Sequence, residues 1–541
     1  MLSYRKLAMR VLGRPLHTGR IDSPRPASQR AAAFILTAAM LTTLAAPAFA
    51  ATWRIEDGDI TVKAGETEGT NKVSQGTIID KVDTDTIITN QNKNIASSNT
   101  VTIEANDKDD KVEVTLKDVN IDTSSRNKAA VSVTGEGDTN IKLDGDNALK
   151  SDIYRSGIYG SGSGSLTISG GENDSLTAQG GSGANGISSS GSLTISGGTV
   201  TANGDDGGRG ISSSGSVTIS GGSTVTANGG SGTISGGDGI CSSGGVTISG
   251  GSTVTANGGN GGSLVGGDGI RSGGGLTVSD GTVTAKGGNG DSKDGYGGDG
   301  IRSGGVVTIS GNTVNAAGGY GGKVGGYGIC SFDRVAISGG TVEAAGGNGS
   351  TGGGSGIYSS VIDLSGSLEL TAKAGSSNGK ALSQNGKELD LDTIKDKLDP
   401  GAKVTTNANG ETKEVSIPRP VEPEEPSSSS DSGSATPSAP ASFLPGLTVT
   451  DKDGQRISYT STQSGNTLTV CVGRFTASLR ISLAALRQLR AEGIETITFQ
   501  TILCSTTLSV DELLAMGGED AEVVLTHHIR SSTLTVGGKA V

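Results

Sequence analysis

The chain has 541 residues, with 55 Asp and Glu against 43 Lys and Arg, 92 Gly and only 3% aromatics. A net charge of −12 argues against nucleic acid or an anionic membrane as the partner of this surface and favours cations. So much Gly with so few aromatics reads as disorder unless the apolar residues keep a period, and here they do.

Residues 1–50 read as a signal peptide. Seven basic residues from Arg5 to Arg30 precede the apolar run AAAFILTAAMLTTLAAPAFA, which ends in the small-x-small pattern Ala48-Phe49-Ala50, so cleavage is expected after Ala50. The run carries Thr and Pro, and no second apolar stretch of spanning length follows. A secreted protein without membrane insertion is the expectation, extracellular and with non-covalent surface association left open. The leader holds seven Lys or Arg and one acid, Asp22, so removing it takes the net charge from −12 to −18.

Residues 51–417 carry a repeat, the first signal to read in any chain that has one. Its anchor is Gly-Ile, at Gly157, Gly186, Gly210, Gly239, Gly269, Gly300, Gly328 and Gly356, with spacings of 29, 24, 29, 30, 31, 28 and 28. Each unit runs through an Ile-led segment (GISSSG), an apolar-polar-apolar segment (LTIS), a second one (TVTANG) and a variable Gly-rich loop. Strict alternation marks short strands: Leu193 and Ile195 point one way and Thr194 the other. One apolar row per unit cannot be buried alone, so units must stack as coils of a parallel β-solenoid, with Gly at corners needing positive φ. Upstream segments such as NTVTIEAND and DKVEVTLKDVNID predict wider coils, and WRIEDGDITV near Trp53 an N-terminal cap. Downstream, VIDLSGSLELTAKAG predicts the last coil, closed by a short helix and strand up to residue 417. About ten coils are expected, the predicted class being mainly β.

Residues 418–443 are rich in Pro, Ser and Glu and predict an extended linker. Residues 444–541 predict a small α+β domain. Strand NTLTVCVG leads to a helix near Ser482 to Glu492 with Leu483, Leu486 and Leu489 on one side, then strand IETITFQTILC. A second helix follows the capping box Ser509-x-x-Glu512, before the strands AEVVLTHHIR and STLTVGG.

Chemistry is sparse. The solenoid has no His, which removes a Ser-His-Asp triad or a His-based zinc site from it. His527 and His528, adjacent on a strand, face opposite ways and read as surface residues. Cys241 and Cys330, three coils or about 14 Å apart, are too distant to bridge and read as free thiols. Cys471 and Cys504 leave a disulfide open.

Register gives the sharpest candidate. The residues before each anchor run Asn185, Arg209, Asp238, Asp268, Asp299, Tyr327 and Ser355, so Asp238, Asp268 and Asp299 stack roughly 5 Å apart. Arg271 and Arg302, themselves stacked, follow Asp268 and Asp299 by three residues. Stacked like charges need a cation or arginine among them. Two readings follow: a solvated ladder whose arginines offset the acids, or a calcium site on the three Asp. Calcium beside arginine is also a polysaccharide-lyase arrangement. Outward Thr pairs, Thr199/Thr201 to Thr282/Thr284, form a second array, an ordinary outward β surface or a hydroxyl face for a glycan. Tyr296, Tyr320 and Tyr327, in neighbouring Gly-rich loops, are the best aromatic candidates for sugar stacking.

The run VEVTLKDVNID, AAVSVTG, TNIKLDGDNALKSD and SGIYGSGSGSLTISG, followed by GGTVTANGG repeats, resembles the secreted bacterial β-helix proteins described as carbohydrate-binding-domain-containing, over residues 99–375. That resemblance implies a right-handed parallel β-helix, related to the pectate-lyase architecture, that binds plant cell-wall polysaccharide with calcium and without catalysis. The expected function is secreted, non-catalytic polysaccharide binding. A structural or adhesive stalk that displays the C-terminal domain to a protein partner is the alternative, and a calcium-dependent lyase a third.

Overall fold

In the computed structural model, the described residues are 51–376, 378–418, 447–451, 456–457, 459–464, 466–472, 476–501, 505–516, 522–527, 532–537 and 539–540. The expected signal peptide, most of the linker, Cys504 and His528 lie outside them. Two compact units divide near residue 422. No helix among the described residues is long and apolar enough to cross a membrane.

Alternating apolar residues do build the coils. The first unit is mainly β, a parallel β-solenoid of about 13 turns against the roughly ten expected. In one coil, Ile270–Ser272, Leu276–Val278 and Gly281–Lys286 are its three strands, and Ile270, Leu276, Val278, Val283 and Ala285 are fully buried. Each large apolar side chain removed from water this way contributes about 1.5–3 kcal/mol. Coils stack in strict register: Ile211, Ile240, Ile270, Ile301 and Ile329 form one ladder, and Val200, Val225, Val254, Val283 and Val314 another.

Polar ladders lock the same stack. The Ser two places after each anchor Ile points inward, and Ser213, Ser242, Ser272, Ser303 and Ser331 each donate to a glycine carbonyl of the preceding coil at 2.8–3.0 Å. Asn257 donates to Asn228 and Asn228 to Asn203, both at 2.8 Å.

Glycine does two different jobs. Between the second and third strands, Gly250 and Gly251 take φ of 63° and 71°, the corner expected of them. The Gly-rich loops are another matter. They are stacked like the strands, through parallel bridges such as Gly232 to Gly261 to Gly290 to Gly321. Their two arms interleave along the axis, with Gly259 donating to Gly237, Gly267 to Gly259, Gly288 to Gly267, Gly298 to Gly288 and Gly319 to Gly298, all at 2.8 Å. A Cβ on Gly267 would stand 1.9 Å from the Gly237 carbonyl oxygen, so close approach is what demands glycine there.

The ends depart from expectation. The Trp53 segment belongs to the first coil, because Thr52–Arg54 pairs in parallel with Thr86–Thr89 and Ile60–Ala64 with Val101–Ala105. Antiparallel strands Asn71–Gln75 and Ile78–Asp83 cover that end, and Trp53 Nε1 donates to Asp83 Oδ2 at 2.7 Å. At the other end Leu382–Gln384 and Lys403–Ala408 continue the parallel stack beyond Val361–Lys373. The short helix Leu391–Lys397 is 3-10, and Glu411–Ser416 closes the sheet antiparallel.

The described residues of the second unit form two sheets, a five-stranded one and a four-stranded one. Its helices are α1, Leu483–Ala491, and α2, Val510–Met516. Leu483, Leu486 and Leu489 face its core, and Ser482 Oγ accepts the Ala485 amide at 3.2 Å as the cap. His527 corrects its surface reading: it is fully buried against Phe499, between Thr501 Oγ1 at 3.2 Å and Thr506 Oγ1 at 2.9 Å.

Candidate functional site

Each long coil leaves its Gly-rich loop through one repeated tetrapeptide: Ser235-Gly236-Gly237-Asp238, Val265-Gly266-Gly267-Asp268, Tyr296-Gly297-Gly298-Asp299 and Val324-Gly325-Gly326-Tyr327. Stacking these arms makes a groove of about 780 Å³ along the solenoid axis. Its lining comes from six successive coils, between Asn185 at one end and Tyr327 at the other, roughly 24 Å at the spacing of stacked strands. Ser235, Val265, Tyr296 and Val324 form one lip, glycines the floor, and the Asp column with Arg209, Arg271 and Arg302 the other side. Of the eight residues expected at the site, Asp238, Asp268, Asp299, Arg271, Arg302, Tyr296 and Tyr327 all line this groove. Tyr320 does not; it is an exposed loop residue.

The Asp ladder is not solvated. Asp238, Asp268 and Asp299 are only 6%, 6% and 4% exposed. Each Oδ1 accepts the amide of the same position one coil on: Asp268 N to Asp238 at 2.9 Å, Asp299 N to Asp268 at 2.8 Å, Tyr327 N to Asp299 at 2.7 Å. Asn185 heads the column and accepts the Arg209 amide in the same way at 2.8 Å. An amide side chain therefore suffices for the stacking, and the three carboxylates add buried charge that the fold does not require. Burial, then the flanking Asp299 and Asp238, push the Asp268 carboxyl up to about 8. Burial pushes Asp299 up to about 6, against the pull of the Tyr327 amide and Arg302. Carboxyls displaced this far in a cleft mark functional-site candidates.

The second carboxylate oxygens meet arginine. Arg209 Nε donates to Asp238 Oδ2 at 3.2 Å, and Arg302 Nη1 to Asp299 Oδ2 at 3.1 Å. Calcium wants six to eight oxygens, whereas here one oxygen of each carboxylate holds a backbone amide and the other oxygen of Asp238 and of Asp299 holds a guanidinium. Among the described residues no three His, Cys, Asp or Glu side chains converge as a metal-holding group. The Asp column thus does not fit calcium ligation.

Aromatic residues gather toward the Tyr327 end of the surface. Tyr327 stacks on Tyr358, centroids 4.9 Å apart and planes 18° from parallel. Sequence reasoning left Tyr358 out of the site, yet it lies in the register row of Arg271 and Arg302, through Cys330. Arg302 lies 5.1 Å over the Phe332 ring and Lys323 5.5 Å over Tyr296. Cys241 and Cys330 are free and three strands apart in the same row, as expected; Cys471 has no disulfide partner among the described residues. The Thr ranks stack in register too, joined by a further column through Thr194, Thr218, Thr247 and Thr277.

No protein-family model, curated protein or solved structure matches this chain.

Proposed function

We propose that this is a secreted, non-catalytic polysaccharide-binding protein, wound as a right-handed β-helix, whose glycan lies in the axial groove. The observation that carries this is the groove's composition: charged side chains along one side, an apolar lip with Tyr296 along the other, and a floor without side chains. Its length along the solenoid axis suits a linear polymer. An extended peptide would seek backbone pairing, but the floor amides are already committed: Gly236 donates to Val265, Gly266 to Tyr296, Gly297 to Val324, and Gly237, Gly267 and Gly298 to neighbouring arms. What remains for a ligand is the arginine donors and the ring and methyl faces of the lip, which match the hydroxyls and C–H faces of sugars. The net charge of −12 disfavours nucleic acid.

The test is retention of the full chain on cellulose, pectate and xylan, each with and without chelator. Retention on at least one polymer, unchanged by chelator, is expected. Passage through all of them counts against the reading and turns attention to the stalk alternative, with a protein partner for the C-terminal unit.

A further inference from the structure

The three guanidiniums of the groove are not equivalent. Arg209 and Arg302 each donate to a buried carboxylate, and Arg302 also lies over Phe332. Arg271 is between them in the stack, its strand pairing with Cys241 on one side and Arg302 on the other. Its ion pair, Nη1 to Asp268 Oδ2 at 4.0 Å, is the longest of the three and beyond hydrogen-bonding distance, and the Arg271 side chain makes no hydrogen bond among the described residues. It is also the most open of the three, 51% exposed against 43% for Arg209 and 37% for Arg302.

Asp268 holds it only weakly. One oxygen is spent on the Asp299 amide, and burial between two further carboxylates favours the protonated form. Arg271 is then a planar fork of five donors held only by that long ion pair, facing a groove that holds Arg302 one coil away. Guanidinium forks of this kind bind carboxylate bidentately.

Resting on the polysaccharide reading, we propose that Arg271 is an anion subsite of the groove, taking the carboxylate of an acidic glycan directly, with no metal between them. Arg302 supplies the neighbouring positive charge, and Tyr296 on the opposite lip carries the sugar ring.

The experiment measures binding of the full chain, in chelator throughout, to α-1,4-linked polygalacturonate, to its methyl ester and to a neutral β-1,4-glucan. The first two differ only in whether the carboxylate is charged. The wild type is expected to prefer acid over ester, and Arg271→Gln to lose about tenfold of that preference, the low end for a charge-assisted hydrogen bond at a half-open site. Arg271→Lys, which keeps the charge but not the fork, should recover part of it. An unchanged melting temperature for both variants confirms that the fold is kept. Equal binding of acid and ester by the wild type, or a preference untouched in Arg271→Gln, overturns the subsite and leaves the polysaccharide reading standing. No binding of acid, ester or glucan sinks both.

Discussion

Gly267→Ala tests the interleaved glycine arms that floor the groove. The added Cβ would stand 1.9 Å from the Gly237 oxygen and 2.4 Å from its carbonyl carbon, where ordinary contact begins at 3.4 Å. Backbone has to move by well over an ångström, and no flexible side chain is there to absorb it. The bonds at risk are Gly267 N to Gly259 O and Gly288 N to Gly267 O, both 2.8 Å. Leaving a buried backbone group unpaired costs about 1–3 kcal/mol, so losing these two predicts roughly 2–6 kcal/mol. Gly352→Ala is the control: nothing lies within 4 Å of its Cβ position and its φ is not left-handed, so a change within about 0.5 kcal/mol is expected. Urea unfolding followed by circular dichroism gives the comparison. Hydrogen exchange should localise the Gly267→Ala damage to its own and adjacent coils, because each coil contacts only its neighbours. Equal stability of the two variants would refute the close-packed arms.

Three further predictions concern titratable groups. Asp268 and Asp299 are held above their ordinary value of 3.8, so folding takes up protons; their stability contribution is fully present below pH 3.8 and is lost as pH rises through about 6 and about 8. Asp268→Asn keeps the acceptor for the Asp299 amide, so its unfolding free energy should exceed the wild type's at pH 9 and depend less on pH from 5 to 9; a parallel pH profile counts against the buried column. Burial pushes the Cys330 thiol up to about 12 and Cys241 to about 11, so peptide mapping after iodoacetamide at pH 7.5 should find both unmodified in the folded protein and modified in urea; rapid native labelling of Cys330 contradicts its burial. Burial lowers the pKa of His527 below 6.5, so protonation favours the unfolded C-terminal unit and its melting temperature should fall as pH drops below 6.5, a fall that His527→Gln should blunt.

Much of this was legible because a solenoid turns sequence period into spatial neighbourhood. Counting from each Gly-Ile anchor placed Asp238, Asp268 and Asp299 in one column and Arg271 and Arg302 in another, as the strand register has them. The burial of the column was not legible, since it depends on adjacent coils stacked against each Asp, a contact that no single unit contains. The repeated Gly-Gly-Asp before each anchor was its only trace. Tyr358 escaped for a related reason: its stacking partner Tyr327 belongs to another coil and another column. His527 looked superficial because alternation fixes which side a residue faces, and the side it faces carries Phe499 and the buried core. Trp53 resembles a cap in the sequence because the strand that pairs with it lies more than thirty residues on.

The most direct measurement of the central claim is hydrogen exchange of the full chain, alone and with the polysaccharide that retains it. Slowed exchange in peptides covering 235–238, 264–271, 296–302 and 324–327, with no change over the Thr face or the C-terminal unit, is the predicted result. Protection confined to the Thr columns or to residues 447–540 would place binding elsewhere and contradict the axial groove.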